Sequence, residues 1–361
     1  MTRVGIVTIN DDQNYGNRLQ NYALQEFLRD QGFTPTTLLN RAEASASVPR
    51  SKPALRYLVG SPIHIKESSR TIGRYLRGAG MRRFDRRYLQ ATENWIDQDA
   101  DHPARLAESY DLFVVGSDQV WNPRWRGTDL DFLTFAPPEK RVSYAASFGV
   151  SALAPEVESR YAHHLSQLRA ISVREIEGAE LVRRMTGREV PVHVDPVLLL
   201  SRERWRRLTG AGRARSRGRS VVTYFLGTES AERGALVERA ANRLHARVVS
   251  FLDRSQPHHY VSGPVRFVRE IDRAALVITD SFHAAAFSIL FGTPFIVIPR
   301  QGVDATGSRV RTLLGTFQVE APSGAARGLP GALQADDAAT ARILQIERDR
   351  AGDYFRAVSS T

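Results

Sequence analysis

Short apolar runs alternate with helical patterns along most of the chain. Val4–Ile9 is a β-rich run, and after a polar turn the apolar side chains recur at helical spacing up to Phe27. Later runs, such as Leu112–Val115 and Val192–Val194, also end in small or polar residues. Strands that alternate with helices are typical of parallel sheets, whose strand ends line a ligand crevice. The first half of the chain is therefore predicted to be a Rossmann-like α/β domain.

A stretch rich in Gly, Ser and Arg, residues 210–220, interrupts this alternation. The pattern then begins again, with strand-like runs from Val221, Val248 and Leu276. Two successive arrays predict an α/β protein with two Rossmann-like domains. The predicted boundaries are 1–200, 201–335 and, for a C-terminal helical segment expected to pack back on the N-terminal domain, 336–361.

Length and composition agree with two globular domains. The chain has 361 residues, 42% of them hydrophobic and 25% charged, and no apolar run approaches the ~20 residues that span a bilayer. It contains no cysteine, which excludes disulfides, thiolate metal sites and a cysteine nucleophile. The strand-like run at the start has no signal-peptide pattern before it. Together these features favour a cytoplasmic protein.

The net charge of +11 is concentrated in two segments. Residues 50–87 contain eleven Lys and Arg against two acidic residues, and residues 202–219 contain eight Arg against one. The rest of the chain is therefore mildly acidic. Because the basic charge is confined to these segments, a nucleic-acid partner is not predicted.

Two basic amphipathic helices are predicted within Arg50–Arg87, as an insertion over residues 50–90 of the N-terminal domain. Apolar residues recur at helical spacing between Leu55 and Val59 and again between Ile72 and Ala79, among arginines. One interpretation is a solvated helical hairpin. The other is a surface for anionic membrane or for a lipid-linked or polyanionic acceptor, which would place the protein at the inner face of the cell membrane.

An apolar strand, Leu276–Thr279, is followed by Asp280, Ser281 and then an apolar helix from Phe282. Ser281 is predicted to be the N-cap of this helix. The first turn of a helix attracts anions, and His283 in that turn can donate a hydrogen bond or a proton to one. The alternative is that Asp280 and Ser281 only cap the helix and that His283 bonds a neighbouring loop.

Several arginines follow predicted strand ends and are candidates for binding the same anion. Arg174 follows the run Ile171–Val173. Arg300 follows the next strand after His283, and Arg309 opens a short helix. The planar guanidinium suits bidentate binding of carboxylate and phosphate. For each arginine taken alone, a surface charge is the alternative.

The sequence contains no motif for a metal site, a cofactor or a hydrolase triad. The adjacent histidines at 163–164 and 258–259 have no carboxylate at ligand spacing. The Gly-rich loops that bind dinucleotides or ATP are missing, and so is the Gly-x-Ser-x-Gly elbow of hydrolases. No metal and no cofactor are therefore predicted.

Taken together, these segments resemble the polysaccharide pyruvyl transferase family. The resemblance implies two Rossmann-like domains in a glycosyltransferase-B-like (GT-B-like) arrangement, with the active site in the cleft between them. It also implies a transferase that moves the enolpyruvyl group of phosphoenolpyruvate, its co-substrate, onto a sugar as a pyruvate ketal and releases phosphate. The blocks that carry the resemblance are Asn14–Gln25, Val115–Asn122, Ile171–Glu175 with Val194–Val197, and Ile278–His283 with Pro294–Phe295.

The resemblance also assigns donor contacts. His283 matches the family histidine assigned to phosphoenolpyruvate binding and acid catalysis, and Arg174 matches an arginine expected to bind the donor. The better-characterised members carry arginine two residues before this histidine, where the present chain has Ser281. Arg300 or Arg309 is then expected to supply the missing charge.

The other side of the predicted cleft would face the acceptor. Amide and hydroxyl groups hydrogen-bond sugar hydroxyls, and Asp118 is a candidate base toward an attacking hydroxyl. The alternative for Asn17 and Asp118 is that each starts a helix. The candidate acceptor contacts are Asn14, Gly16, Asn17, Gln20 and Ser117.

Three hypotheses for the function remain open at the level of the sequence. The first is a pyruvyl transferase that acts on a glycan or a lipid-linked glycan precursor. The second is a transferase of the same architecture that uses another anionic donor, such as a nucleotide sugar. The third is a non-catalytic protein that binds polyanions through its two basic segments.

Overall fold

Two parallel β-sheets, one in each half of the chain, form the centre of the fold. Part of the predicted basic insertion, including Leu55–Val59, and most of the 210–220 stretch lie outside the residues that the structure describes. The computed structural model describes residues 1–10, 14–40, 62–96, 102–210, 218–228, 230–300, 305–319 and 331–360.

A five-stranded parallel sheet with its helices makes up the N-terminal half. Its elements are β1 (Arg3–Val7), α1 (Tyr15–Asp30), β2 (Thr34–Leu39), α2 (Pro62–Tyr88), β3 (Ala91–Trp95), α3 (His102–Ser109), β4 (Leu112–Val115), β5 (Arg141–Ser143), α4 (Pro155–Ser166) and α5 (Ile176–Thr186). The strand order is β3-β2-β1-β4-β5. The central strands β1 and β4 pair in parallel and are almost wholly buried, which explains their continuous apolar runs.

The predicted strands at 171–173 and 192–194 are single parallel bridges that extend this sheet beyond β5. Side-chain hydroxyls add to the backbone hydrogen bonds between these segments. The Ser143 hydroxyl donates to the backbone carbonyl of Ser172 at 3.0 Å and accepts from the backbone N–H of Ser172 at 3.0 Å. Both segments nevertheless end at the same edge as β1 and β4, so the residues that follow them meet there.

A four-stranded parallel sheet makes up the C-terminal half. Its elements are α6 (Arg202–Leu208), β6 (Ser220–Tyr224), α7 (Ala231–Arg243), β7 (Arg247–Ser250), α8 (Pro257–Tyr260), α9 (Pro264–Arg273), β8 (Leu276–Thr279), α10 (Phe282–Phe291), β9 (Phe295–Val297), α11 (Ala305–Thr316) and α12 (Asp337–Ser359). The strand order is β7-β6-β8-β9. Every residue of α10 is buried, which explains why this helix has no polar face. The predicted fold class, an α/β protein with two Rossmann-like units, is confirmed.

The last helix, α12, packs on the N-terminal half of the chain. The Phe355 ring lies 6.2 Å from the rings of both Phe27 and Phe33. The hydroxyl of Tyr354 donates to the backbone carbonyl of Ser143 at 2.7 Å. The chain therefore crosses back after its second sheet, and α12 brings side chains close to the ends of the first sheet.

Helix α2 contains the second of the two predicted basic helices and carries both exposed and buried side chains. Ile72, Tyr75 and Leu76 are exposed, so a solvated face and a membrane contact both stay predictions. Arg77 is wholly buried and donates to the Tyr15 hydroxyl at 2.7 Å and to the Tyr260 carbonyl at 2.9 Å. No helix within the described ranges combines the length and apolar character needed to cross a bilayer.

Arginines of the second basic segment that lie on α6 form ion pairs. Three arginines of α6 bind carboxylates from other elements, so this part of the segment is not a free cationic surface. The pairs are Arg202 with Asp337 at 2.9 Å, Arg204 with Glu26 at 2.6 Å and also with Asp30, and Arg206 with Asp272 at 2.7 Å.

Replacing Arg77 by alanine is expected to destabilise the protein by about 2–4 kcal/mol, because it removes the charged donor from buried oxygen atoms. Those oxygens belong to Tyr15, Phe251 and Tyr260. Urea unfolding followed by circular dichroism measures the effect. Arg74→Ala is the matched control, since Arg74 is exposed on the same helix. Equal unfolding midpoints for the two variants would contradict this account.

Candidate active site

A wholly buried carboxylate, Asp195, lies among side chains from three other segments of the chain. Its Oδ2 accepts from Arg174 Nη1 at 2.5 Å and from Ser117 Oγ at 3.0 Å, and its Oδ1 accepts from the Val197 N–H at 3.1 Å. Nε2 of His283 lies 3.5 Å from Oδ2. Burial raises the pKa of Asp195, but His283, Arg174 and the Val197 N–H together lower it far below its usual range. The carboxylate is therefore held ionised.

Arg174 lies between two carboxylates and over an aromatic ring. Its Nη2 lies 3.1 Å from Asp118 Oδ1, opposite the bond to Asp195. The guanidinium carbon lies 4.3 Å from the centre of the Phe282 ring. Burial lowers the pKa of Arg174, but Asp118 and Asp195 outweigh burial and raise it. Arg174 is thus a permanent cation at the edge where the strands end.

Arg309 of α11 is a second buried cation, and it shares its counter-ion, Asp118, with Arg174. Its Nη1 lies 3.8 Å from Asp118 Oδ1, the same oxygen that binds Arg174. With the Gln119 amide oriented to satisfy its neighbours, the Gln119 oxygen accepts from both terminal nitrogens of Arg309 at 3.2 and 3.3 Å. Burial and the charge of Arg174 lower the pKa of Arg309 to about 10. An additional anion would stabilise this guanidinium, since a buried charge is costly without a full partner.

We refer to Asp118, Arg174, Asp195, His283 and Arg309 as the charge cluster. Asp118 does not start a helix, and its backbone has a φ of 67°. Burial raises the pKa of Asp118, but Arg174, His283 and Arg309 lower it more. Asp118 is thus a counter-ion of Arg174 and lies 3.8 Å from Arg309, and its role as a base stays a prediction.

His283 lies where the two halves of the chain touch. It is in the first turn of α10 and is only 3% exposed. The imidazole packs directly on Gly16 at the start of α1, so closely that a Cβ at position 16 would overlap Nδ1. Its Nε2 faces Asp195 at 3.5 Å and has no hydrogen-bond partner among the described residues. The absence of a side chain at Gly16 therefore leaves the space that the His283 imidazole occupies.

Residues at the start of α10 make hydrogen bonds that stabilise the helix start and the loop after β6. Ser281 is the predicted N-cap, and its side chain accepts from the Ala284 N–H at 3.5 Å. Asp280 accepts from the backbone N–H groups of Leu226 and Gly227 at 2.7 and 2.9 Å. Arg300 lies against Asp280, with Nε 3.6 Å from Oδ2. Of the two arginines predicted to replace the family arginine, Arg309 is the one in the charge cluster.

The predicted acceptor contacts on the N-terminal side are engaged within the protein. Asn14 is the N-cap of α1, whereas Asn17 lies inside that helix and does not start it. The wholly buried Gln20 donates to Thr8 Oγ1 at 2.8 Å and accepts from the Ser117 N–H at 3.1 Å. Gln20 thereby connects the residues that follow β1 and β4. A direct contact with an acceptor stays a prediction for these side chains.

No role for Asp195, Phe282 or Glu175 was predicted from the sequence. Asp195 follows an apolar run directly, which is the same strand-end signal that singled out Arg174. Glu175 is buried, and its Oε1 accepts from Ser147 Oγ at 3.0 Å and from the Phe148 N–H at 2.9 Å. Burial raises the pKa of Glu175. None of these contacts follows from local sequence, because each joins segments far apart in the chain.

The cluster can bind an anion and move a proton. Arg174 and Arg309 are both buried and share the Asp118 carboxylate. Arg174 also pairs with Asp195, and His283 lies beside that second carboxylate. Such a preorganised set of charges stabilises negative charge that develops in a reaction. A histidine in the same place can serve as a general acid.

Comparison with known proteins gives one match to a family. The model of the family described as polysaccharide pyruvyl transferase matches residues 14–302, which include all of the charge cluster except Arg309. A search of curated protein sequences finds no significant match.

Solved structures give distant matches. A UDP-GlcNAc 2-epimerase from Neisseria meningitidis, bound to UDP-GlcNAc, is 11% identical with a TM-score of 0.44, and the match covers 88% of this chain and 90% of that one. The spinosyn rhamnosyltransferase SpnG is 14% identical with a TM-score of 0.47, and the match covers 100% of both chains.

Gly16→Ala is expected to destabilise the protein by about 1–3 kcal/mol, because the added methyl group forces the imidazole of His283 or the start of α1 to move. Gly234→Ala is the control: its Cβ would meet open space within α7, and replacing a helical glycine there should stabilise by about 0.5–1 kcal/mol. Urea unfolding of both variants measures the difference. A stable Gly16→Ala variant with an unmoved His283 in its crystal structure would refute the contact.

His193, two residues before Asp195, is expected to make stability depend on pH. It is buried, its Nδ1 lies 2.8 Å from Ser172 Oγ, and burial followed by Arg350 lowers its pKa to about 4. The unfolded chain has the ordinary value of about 6.5. The folded state therefore prefers neutral His193, and the stability it contributes is complete above pH 6.5 and is lost as the pH falls toward 4.

The loss should amount to about 3 kcal/mol. Relative to wild type, His193→Asn should lack this part of the pH dependence, so the difference in unfolding free energy between the two proteins should shrink between pH 7 and pH 4. Urea titrations at pH 7, 6, 5 and 4 measure it. A constant difference across that range would show that His193 is not held neutral.

Proposed function

Since the chain belongs to the polysaccharide pyruvyl transferase family, we propose that it transfers the enolpyruvyl group of phosphoenolpyruvate to two hydroxyl groups of a sugar. The product is a pyruvate ketal and the leaving group is phosphate. The acceptor is a glycan or a glycan precursor. The observation that carries the proposal is the buried Arg174–Arg309 pair beside His283, in which Arg309 lacks a full counter-ion.

The proposed donor matches this charge pattern. Phosphoenolpyruvate carries a carboxylate and a phosphate, and both suit guanidinium groups. Arg309 takes the place of the family arginine that is Ser281 here, because it reaches the cluster from α11 whereas the Ser281 side chain caps α10. Arg174 is kept in position by Asp118, Asp195 and the ring of Phe282.

The proposed reaction begins with proton transfer from His283 to the methylene carbon of the donor. One sugar hydroxyl adds to the neighbouring carbon, the bond from that carbon to the phosphate oxygen breaks, and the second hydroxyl closes the ketal. One hydroxyl proton restores His283, and the other leaves with phosphate. The two arginines stabilise the charge on the carboxylate and the departing phosphate throughout. Asp195 positions His283 and does not itself contact the reacting atoms.

The second hypothesis, a nucleotide-sugar donor, would use the same two arginines for a diphosphate. The third, a non-catalytic polyanion binder, is less favoured because the α6 arginines are paired with carboxylates. A cytoplasmic location stays a prediction.

Calorimetry with phosphoenolpyruvate tests the proposal, with UDP-glucose and UDP-GlcNAc as comparison ligands. Arg309→Gln should weaken phosphoenolpyruvate binding by about 10- to 100-fold, since it removes one charge-assisted contact. Arg311→Gln is the matched control, because Arg311 is exposed on the same helix and pairs with Glu177. His283→Gln should retain binding but slow phosphate release in the presence of acceptor by about 10²–10⁴-fold.

Tighter binding of a UDP-sugar than of phosphoenolpyruvate would favour the nucleotide-sugar donor. Unchanged phosphoenolpyruvate affinity in Arg309→Gln would remove Arg309 from the donor site. Phosphate release at the wild-type rate in His283→Gln would contradict the role of His283 as proton donor.

A further inference from the structure

A cavity of about 240 Å³ lies beside the charge cluster. Arg174 and Asp195 line it together with Phe282, so it is continuous with the cluster. Thr312 and Thr316 of α11 and Glu347 and Arg350 of α12 also line it. These two helices lie beyond residue 302, where the family match ends. The family match therefore covers only one side of the cavity.

Glu347 lines this cavity and has a buried carboxylate oxygen. The residue is only 5% exposed. Its Oε1 accepts from Arg350 Nη1 at 2.5 Å, but its Oε2 has no hydrogen-bond partner among the described residues. A buried carboxylate oxygen without a donor is costly. A ligand hydroxyl that donates to Oε2 would remove that cost.

The rest of the lining is mixed in a way that suits a sugar ring. Val192, Leu198 and Leu313 present apolar surface, and Arg350 and the two threonines add polar groups. A pyranose has the same division, since its C–H groups form apolar faces and its hydroxyls form a polar rim. A cavity of about 150 Å³ holds a benzene molecule, so the present volume accommodates one hexose ring.

We propose that this cavity binds one neutral hexopyranose unit of the acceptor, with a sugar hydroxyl donating to Glu347 Oε2. The inference rests on the proposed function, because it identifies the acceptor site of that reaction. The cavity lies apart from the predicted acceptor contacts at Asn17, Gln20 and Ser117, none of which lines it, and those contacts stay predictions. A ring held here has its hydroxyls next to Arg174 and Asp195, at the edge of the proposed donor site.

Saturation-transfer NMR on the full chain tests the assignment. The probes are the methyl α- and β-glycosides of glucose, galactose and mannose and of their 2-acetamido derivatives. Glu347→Gln replaces the acceptor oxygen by a donor. Thr316→Trp fills the cavity from the half-buried end of α11. Gly315→Trp is the matched control, because a side chain at the neighbouring position 315 meets open space. Thermal unfolding of each variant confirms that it is folded.

At least one glycoside should receive saturation from wild type and from Gly315→Trp. The dissociation constant of that glycoside should rise about tenfold or more in each of the two variants. Glu347→Gln removes a hydrogen bond to a charged group, and Thr316→Trp fills the space that the sugar would occupy. The proposal is overturned if no glycoside receives saturation from wild type, or if the affinity is unchanged in either of the two variants.

Phosphoenolpyruvate calorimetry on the same samples separates this inference from the proposed function. Sugar binding that depends on Glu347 in a protein that does not bind phosphoenolpyruvate would support the sugar site and reject the donor. Phosphoenolpyruvate binding that depends on Arg309, without any sugar binding, would support the donor and reject the sugar site.

Discussion

The ion pair between Arg174 and the wholly buried Asp195 is the interaction on which the site depends. Two charges buried together cost desolvation energy, and only good geometry and further hydrogen bonds recover it. Here Ser117 and the Val197 N–H donate further hydrogen bonds to Asp195. Arg174 also pairs with Asp118 and lies over the ring of Phe282. All of these groups except the Phe282 ring come from the N-terminal half of the chain, so Phe282 and the neighbouring His283 connect the ion pair to the C-terminal half.

This arrangement explains how separate segments produce one reactive centre. Each contributing segment follows an apolar strand or bridge at the same edge of its sheet, which is where parallel α/β proteins bind ligands. The close contact of Gly16 with His283 joins the start of α1 to the start of α10. Helices α11 and α12 then add Arg309 on one side and Glu347 on the other. The proposed donor chemistry and acceptor choice are thus divided between different parts of the chain.

The sequence predicts the strands, α10 and its N-cap Ser281 well, because apolar periodicity and capping are local properties. It also identifies Arg174 and His283. It does not predict that Gln20 bonds to Thr8 and Ser117, that Asp118 lies between Arg174 and Arg309, or that Asp195 accepts from Arg174 and faces His283. These contacts join residues as far apart in the chain as Asp118 and Arg309, and no local pattern encodes them.

A crystal structure with phosphoenolpyruvate bound would test the proposed donor site. We expect a donor carboxylate or phosphate oxygen within about 3 Å of the Arg309 guanidinium, which is hydrogen-bond distance. We also expect the methylene carbon beside a ring nitrogen of His283, at the about 3–3.5 Å of a reactive geometry. Phosphoenolpyruvate bound away from the charge cluster, or bound there with its methylene carbon turned away from His283, would contradict the proposal.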